Sequence, residues 1–351
     1  MERRAALVPT PVTRRAPALA AALIATAAAS ALHAQEQRVF QNAPSASWIA
    51  PAGIPADSFT VFHARRSFTL AAVPARFVVH VSADNRYRLF VNGAQVSSGP
   101  ERSDVAHWRY ETIDLAPHLH PGRNVLAALV WNWGAARPVA QHSHRTGFLV
   151  QGDGPVEATL VNTSPAWKVL RDPAYAPIVI TTAFLRNYYA AAPGDSIDGS
   201  RYPWGWESPD YVDDAWSAGA DVGSVKRRAV PPGDYGEVSG WQLEPRSIPP
   251  MEEKKQRLPR VRRASGVETD GGFLLGTRDL VIPARTTAVL LLDQSHTTNA
   301  YPVLETSGGA GSIVRLTYAE ALIDSAGNKG NRNDVEGRTV RGVRDVFLPD
   351  G

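Results

Sequence analysis

From Arg86 to Val91 the side chains alternate, with Tyr87, Leu89 and Val91 on one side and Arg86, Arg88 and Phe90 on the other. Period two marks a half-buried strand. Asn92-Gly93 follows at once and predicts a tight hairpin returning through Ala94–Ser97, because both residues tolerate positive φ. Similar patterns precede it at Ser58–His63, Arg66–Leu70 and Arg76–Ser82. Others follow at Trp108–Leu115, Asn124–Trp131, Gly147–Val150 and Val156–Val161. Asn124–Trp131 is an apolar run suited to a central strand. Short strands separated by frequent turn signals predict a sandwich or jelly roll, not a helical fold. The stretch from Ser164 to Val230 is irregular and aromatic-rich, and reads as outer strands and long loops of the same unit.

A second series begins after Trp241–Pro250, a proline-rich segment leading into a basic run of Lys254, Lys255, Arg257, Arg260, Arg262 and Arg263. That run reads as a solvated crossing between two domains. Strand patterns resume at Gly272–Leu275, Asp279–Ile282, Thr287–Asp293, Ala300–Glu305 and Ser312–Tyr318. A Gly/Asn/Asp loop, Asp324–Glu336, then separates Ser312–Tyr318 from a last strand pattern ending at Leu348. The expected fold is therefore all-β, with two β-sandwich domains at 35–240 and 266–351 joined by a linker at 241–265. Pro349-Asp350-Gly351 is a turn signal that calls for a partner strand, so the second sandwich is expected to be truncated.

Residues 1–34 stand outside this pattern. Arg3, Arg4, Arg14 and Arg15 flank an Ala-rich apolar run from Ala16 to Ala31, and small residues lead to Ala34. This describes a secretory signal peptide cleaved after Ala34, with no membrane span. It implies an exported chain, periplasmic or extracellular. Losing four Arg and one Glu with the leader takes the formal net charge from +3 to zero, which gives no electrostatic reason to expect nucleic acid or anionic lipid. Cysteine is absent, which removes disulfides, thiol catalysis and Cys-ligated metals.

Two clusters carry the chemistry of sugar recognition, in which ring C–H faces stack on aromatic side chains and hydroxyls meet polar ones. The first is Trp131-Asn132-Trp133 with Arg145; the second is Trp204 and Trp206 beside Tyr202. Core and loop packing is the competing use of the same residues. Glu320 and Glu336 are expected to support their loop rather than to act as a catalytic pair. The loop from Asp324 fails the EF-hand spacing, with Lys329 where glycine is needed and Val335 at the last ligand position. His142 and His144, near His118 and His120, lack a suitably spaced carboxylate, so no metal and no cofactor are expected.

The second-series text carries Leu292-Asp293, Ala300-Tyr301-Pro302, Gly308-Gly309, Tyr318-Ala-Glu-Ala-Leu322, Gly327-Asn-Lys-Gly-Asn-Arg-Asn333 and Glu336-Gly337. In these motifs it resembles the bacterial α-L-rhamnosidases. Upstream, Asn85–Gly93, Gly99-Pro100, Asp114-Leu115 and Gly122–Val130 are similar to the jelly-roll domain at the start of that family. The resemblance implies a carbohydrate-binding-like jelly roll at 35–240 and a concanavalin-like sandwich at 266–351. It also implies a catalytic (α/α)6 barrel downstream, beyond Gly351, that hydrolyses terminal α-L-rhamnose with inversion. None of these residues matches the barrel, so the chain is expected to hold no catalytic residue. The alternatives are a stand-alone secreted carbohydrate-binding module and a truncated product that folds poorly.

Overall fold

The computed structural model describes residues 46–185, 192–224, 226–227 and 240–351. The leader, the loop up to Pro44, Tyr188 and Tyr189 lie outside the described residues. In chain order the strands are β1 (Ser47–Ala50), β2 (Thr60–Leu70), β3 (Val78–Asp84), β4 (Arg86–Val91), β5 (Ala94–Gly99), β6 (Trp108–Asp114), β7 (Gly122–Asn132), β8 (Gly147–Gly152) and β9 (Lys168–Arg171). Then come β10 (Tyr175–Ile178), β11 (Gly194–Asp198), β12 (Ser217–Ala218), β13 (Ala220–Ser224), β14 (Lys226–Arg227) and β15 (Gln242–Pro245). The last are β16 (Arg260–Ser265), β17 (Val289–Asp293), β18 (Val314–Tyr318) and β19 (Val343–Leu348).

The all-β expectation holds. A seven-stranded sheet, ordered β13-β1-β8-β3-β6-β15-β14, packs against a six-stranded sheet, ordered β12-β9-β2-β7-β4-β5. Strand alternation builds the core between them. Phe62, Ala64, Leu89, Leu126, Ala128 and Val130 come from one sheet and meet Val79, Val81, Ala83, Phe148 and Val150 from the other. Asn92 and Gly93 take φ of 51° and 88°, as the β4–β5 hairpin turn requires. The two patterns at Ser58–His63 and Arg66–Leu70 are one continuous strand, β2.

Several local expectations fail. Pro155–Val161 is a helix. Proline occupies its first turn with Glu157, both favourable at a helix N-terminus, and Asn162 Oδ1 accepts the Gly152 amide at 2.7 Å. Gly152 permits this, since a Cβ there would lie 2.3 Å from Ala158 N. Gly272–Leu275 is a short helical turn set by Asp270, whose carboxylate accepts the Gly272 amide at 2.9 Å. Asp279–Ile282 and Ala300–Glu305 form no strand, and many of their apolar side chains are exposed.

The 241–265 segment contains two strands. β15 runs parallel to β6 inside the seven-stranded sheet, and β16 pairs with β17. The basic residues of β16 are also engaged. Arg262 and Arg263 donate to the carbonyls of Asn333, Val335 and Arg338 at 2.8, 3.0 and 3.1 Å. A four-stranded sheet, β10-β11-β19-β18, joins the middle of the chain to its last strands. No helix among the described residues is long and apolar enough to cross a membrane.

Candidate functional site

The outer face of the six-stranded sheet is covered by the aromatic segment 199–216. Along β7 the residues that miss the sandwich core, Val125, Ala127, Leu129 and Trp131, point to this face. There Val61, Trp206 and Trp216 join them, with Tyr202 and Tyr211 packed alongside. Arg65, on the same side of β2, fixes the cover in place. Its Nε donates to Asp213 at 2.9 Å, and its guanidinium donates to the carbonyls of Trp206, Ser208 and Tyr211. Burial works against the Asp213 charge, but donors from Lys168 and Arg65 outweigh it and hold the carboxyl below its ordinary value. A buried ion pair with this many hydrogen bonds specifies one arrangement of the loop above it.

Beneath the same cover His63 Nε2 lies 2.7 Å from Asp172 Oδ2. Burial pulls the His63 pKa down against the pull of Asp172. Asp172 also accepts the Ala174 amide at 2.7 Å, which sets the turn into β10. That turn edges an open hollow of about 450 Å³ bordered by Ser58, Phe59, Arg171, Asp172, Tyr175 and Pro177. Tyr175 connects the hollow to the aromatic cover, its ring edge-on to Tyr202 at 6.2 Å.

The six residues singled out from the sequence fall into different environments. Trp204 is 56% exposed, with its indole N–H donated to Gly199 O at 2.9 Å and its ring 4.7 Å from Tyr202. An anchored N–H and a free ring face are what a stacking platform needs. Trp206, two residues on, is 2% exposed. It donates to the Tyr202 hydroxyl at 2.9 Å and meets Phe90 edge-on, so it supports the platform from below. Trp131 and Trp133 are half-buried and edge-to-face at 6.5 Å.

Asn132 is fully buried, because it stands one residue out of phase with Trp131 and faces inward. Its Nδ2 donates to Asp84 Oδ1 at 3.1 Å and to Ser143 Oγ at 3.1 Å, and its Oδ1 accepts the Gly134 amide at 2.7 Å. Arg145 is exposed, with its main-chain N–H 3.3 Å from Asp84 Oδ2 and its guanidinium 3.5 Å from Val222 O.

Asp84, which the sequence pattern did not single out, is the centre of that region. Its carboxylate also accepts from Asn85 Nδ2 at 2.6 Å, Ser143 Oγ at 2.8 Å, His144 N at 2.7 Å and Trp241 Nε1 at 2.9 Å. Burial pushes the Asp84 carboxyl up, and the donors from His144, Trp241, Ser143 and Arg145 oppose that shift. The cluster organises the 141–146 loop under Trp241, which stacks on Trp48 at 4.0 Å. Among the other residues weighed from sequence, Glu320 is exposed and 3.9 Å from Lys329. His144 packs edge-on against Trp241 at 4.9 Å.

No protein-family model matches the chain. An α-L-rhamnosidase of Streptomyces avermitilis is 26% identical over 264 residues, which cover 71% of this chain and 21% of that enzyme. The solved GH78 family rhamnosidase of Bacillus sp. GL1 superposes with a TM-score of 0.54 at 26% identity, over 65% of this chain and 22% of that one. The Streptomyces avermitilis α-L-rhamnosidase solved with L-rhamnose gives a TM-score of 0.53 at 21% identity, over 84% of this chain and 25% of that one, a likeness of fold. The chain spans between a fifth and a quarter of the length of these relatives. In sequence and in fold it is similar to the GH78 α-L-rhamnosidases.

Proposed function

We propose that this chain, with its likeness to the GH78 α-L-rhamnosidases, is the non-catalytic β-sandwich portion of a glycoside hydrolase of that kind. The full-length form would release terminal α-L-rhamnose from glycosides with inversion. The observation that carries this reading is that one relative, the Bacillus enzyme, shares both 26% identity and the fold. On this reading the acid and the base of an inverting pair, about 6.5–9.5 Å apart, lie in the part of such an enzyme that this chain does not span. Fold alone assigns no chemistry, and the site itself supports a role in holding carbohydrate. Trp204 offers an exposed ring, Tyr202 and Tyr175 extend the aromatic surface, and Arg171 and Ser58 supply polar groups at the hollow. A relative solved with L-rhamnose supports a sugar as ligand. The basic, Ala-rich leader supports export to the periplasm or the medium.

The test has two parts. The purified chain incubated with an aryl α-L-rhamnoside is expected to release no rhamnose; release by this chain alone would overturn the non-catalytic assignment. Calorimetric titration with L-rhamnose is expected to show binding that Trp204→Ala weakens, and unchanged binding would remove Trp204 from the site. The nucleotide sequence beyond the Gly351 codon separates this reading from a stand-alone carbohydrate-binding module. A helical-hairpin region rich in tryptophan and acidic residues is expected, whereas a stop codon with a soluble, sugar-binding chain would establish the module.

A further inference from the structure

Arg65, Arg109 and Arg246 each hold an acid, Asp213 at 2.9 Å, Glu244 at 2.8 Å and Glu111 at 2.7 Å. Arg86 and Arg88 are half-buried on the outer side of β4, opposite the buried Tyr87 and Leu89, and neither has an ion-pair partner among the described residues. Two residues apart on one strand, they stand about 7 Å from each other on the same face. A half-buried guanidinium without a counter-ion is costly, and its planar fork is suited to carboxylate.

The surroundings sharpen this. The Arg88 guanidinium carbon lies 5.2 Å from the centre of the Tyr301 ring, and Tyr301 is 50% exposed, so the place is open to solvent on that side. Burial holds Arg86 below its ordinary pKa; Tyr301 and, less strongly, Glu111 oppose this, while Arg102 and Arg246 add like charge. The nearby acids are shared with other groups. Glu111 is taken by Arg246, and Asp345 accepts the Tyr318 hydroxyl at 2.8 Å and the Asp195 amide at 2.8 Å. Asp195, within electrostatic reach of Arg88, is held up to about 7 by burial and by Asp345. The positive charge here is local, since the chain without its leader carries no formal net charge.

We propose that Arg86 and Arg88, with the ring of Tyr301 beside them, bind the carboxylate of a uronic-acid residue in an acidic oligosaccharide. This rests on the carbohydrate reading above and narrows it from sugars in general to acidic ones. A uronate matches both halves of the site. Its carboxylate accepts from the two guanidinium groups, and the C–H face of its ring lies against tyrosine.

The full chain is titrated calorimetrically with tri-galacturonate and, separately, with neutral L-rhamnose. Tri-galacturonate is expected to bind, more weakly at high salt, and the double variant R86Q/R88Q is expected to lose at least about tenfold in affinity while rhamnose binding stays unchanged. Arg88→Lys keeps the charge and lacks the fork, so it should lose affinity in part; it decides the question if the double variant does not fold. No binding of tri-galacturonate, unchanged affinity in both variants, or equally tight binding of poly-glutamate overturns the proposal. Rhamnose binding without tri-galacturonate binding sinks this inference alone. Binding of neither sugar removes the carbohydrate reading with it.

Discussion

At the scale of single residues, the phase of a strand decides what each side chain can do. Trp131-Asn132-Trp133 looks like one sugar-binding triplet, yet alternation turns Asn132 inward to Asp84 and leaves Trp131 on the other side, while Trp133 lies past the end of the strand. The same two-residue step separates Trp204 from Trp206, one exposed and one buried. That difference gives opposite expectations for two similar substitutions. Trp204→Ala should leave stability within about 0.5 kcal/mol and reduce sugar binding. Trp206→Ala should cost about 3–5 kcal/mol, because it empties the space between Phe90, His63 and the sheet. Urea denaturation of both variants checks this, and equal losses would contradict the assignment of platform and support. Asp84 was illegible in the sequence because, apart from its neighbour Asn85, its donors come from three separate stretches, 132, 143–145 and 241, that pattern reading does not connect. Asp84→Ala should cost about 3 kcal/mol by leaving those buried donors unsatisfied, and should shift the fluorescence of Trp241.

At the scale of elements, the regular strands with one buried face were legible, and the failures have two physical causes. Val156–Val161 has the composition of a strand, but Pro155 and Glu157 in the first turn favour a helical turn, and tertiary contact at Gly152 decides it. The 241–265 stretch has the composition of a linker, but β15 and β16 pair with β6 and β17, and Leu243 and Glu244 are buried there. Strands of four and six residues hold too few positions for a period of two to stand out among prolines and basic residues. Where β11 meets β19 the pairing places Asp195 beside Asp345, a residue before Ser196↔Val346. Burial, then Asp345, raises Asp195 from 3.8 to about 7, a spread equivalent to roughly 4 kcal/mol of differential interaction. The folded chain therefore holds a proton between about pH 4 and 7 that the unfolded chain releases. The stability contributed by Asp195 is full below the unfolded value and is lost as pH rises through about 7. Thermal midpoints of the wild type should fall across that interval, and Asp195→Asn should flatten the decline. Parallel pH profiles for the two proteins would exclude Asp195 as the source.

At the scale of the whole molecule, the linear reading of two successive sandwiches meets a topology that is not linear. β11 lies within the chain's aromatic middle, between β9 and β12, yet it pairs in parallel with β19 through Ser196, Ile197 and Asp198 against Val346, Phe347 and Leu348. β10, on its other side, connects back through Asp172 to His63 in the six-stranded sheet. The last strands are thereby coupled to the cover over the sandwich, where Tyr175 and Tyr202 meet. Contacts separated by roughly 150 residues cost loop-closure entropy, which they recover only as a set. If so, a chain shortened to end before Ser312 should not leave the first sandwich intact with a clean edge. It should lose β19, expose β11, and raise amide exchange across 194–198 and in the 199–216 cover. The central strands β3, β7 and β8, buried on both faces, should keep their protection. Hydrogen exchange read by mass spectrometry on the shortened and full chains makes the comparison. Unchanged protection of 194–216 in the shortened chain would mean that the aromatic cover stands without the strands that pair beside it.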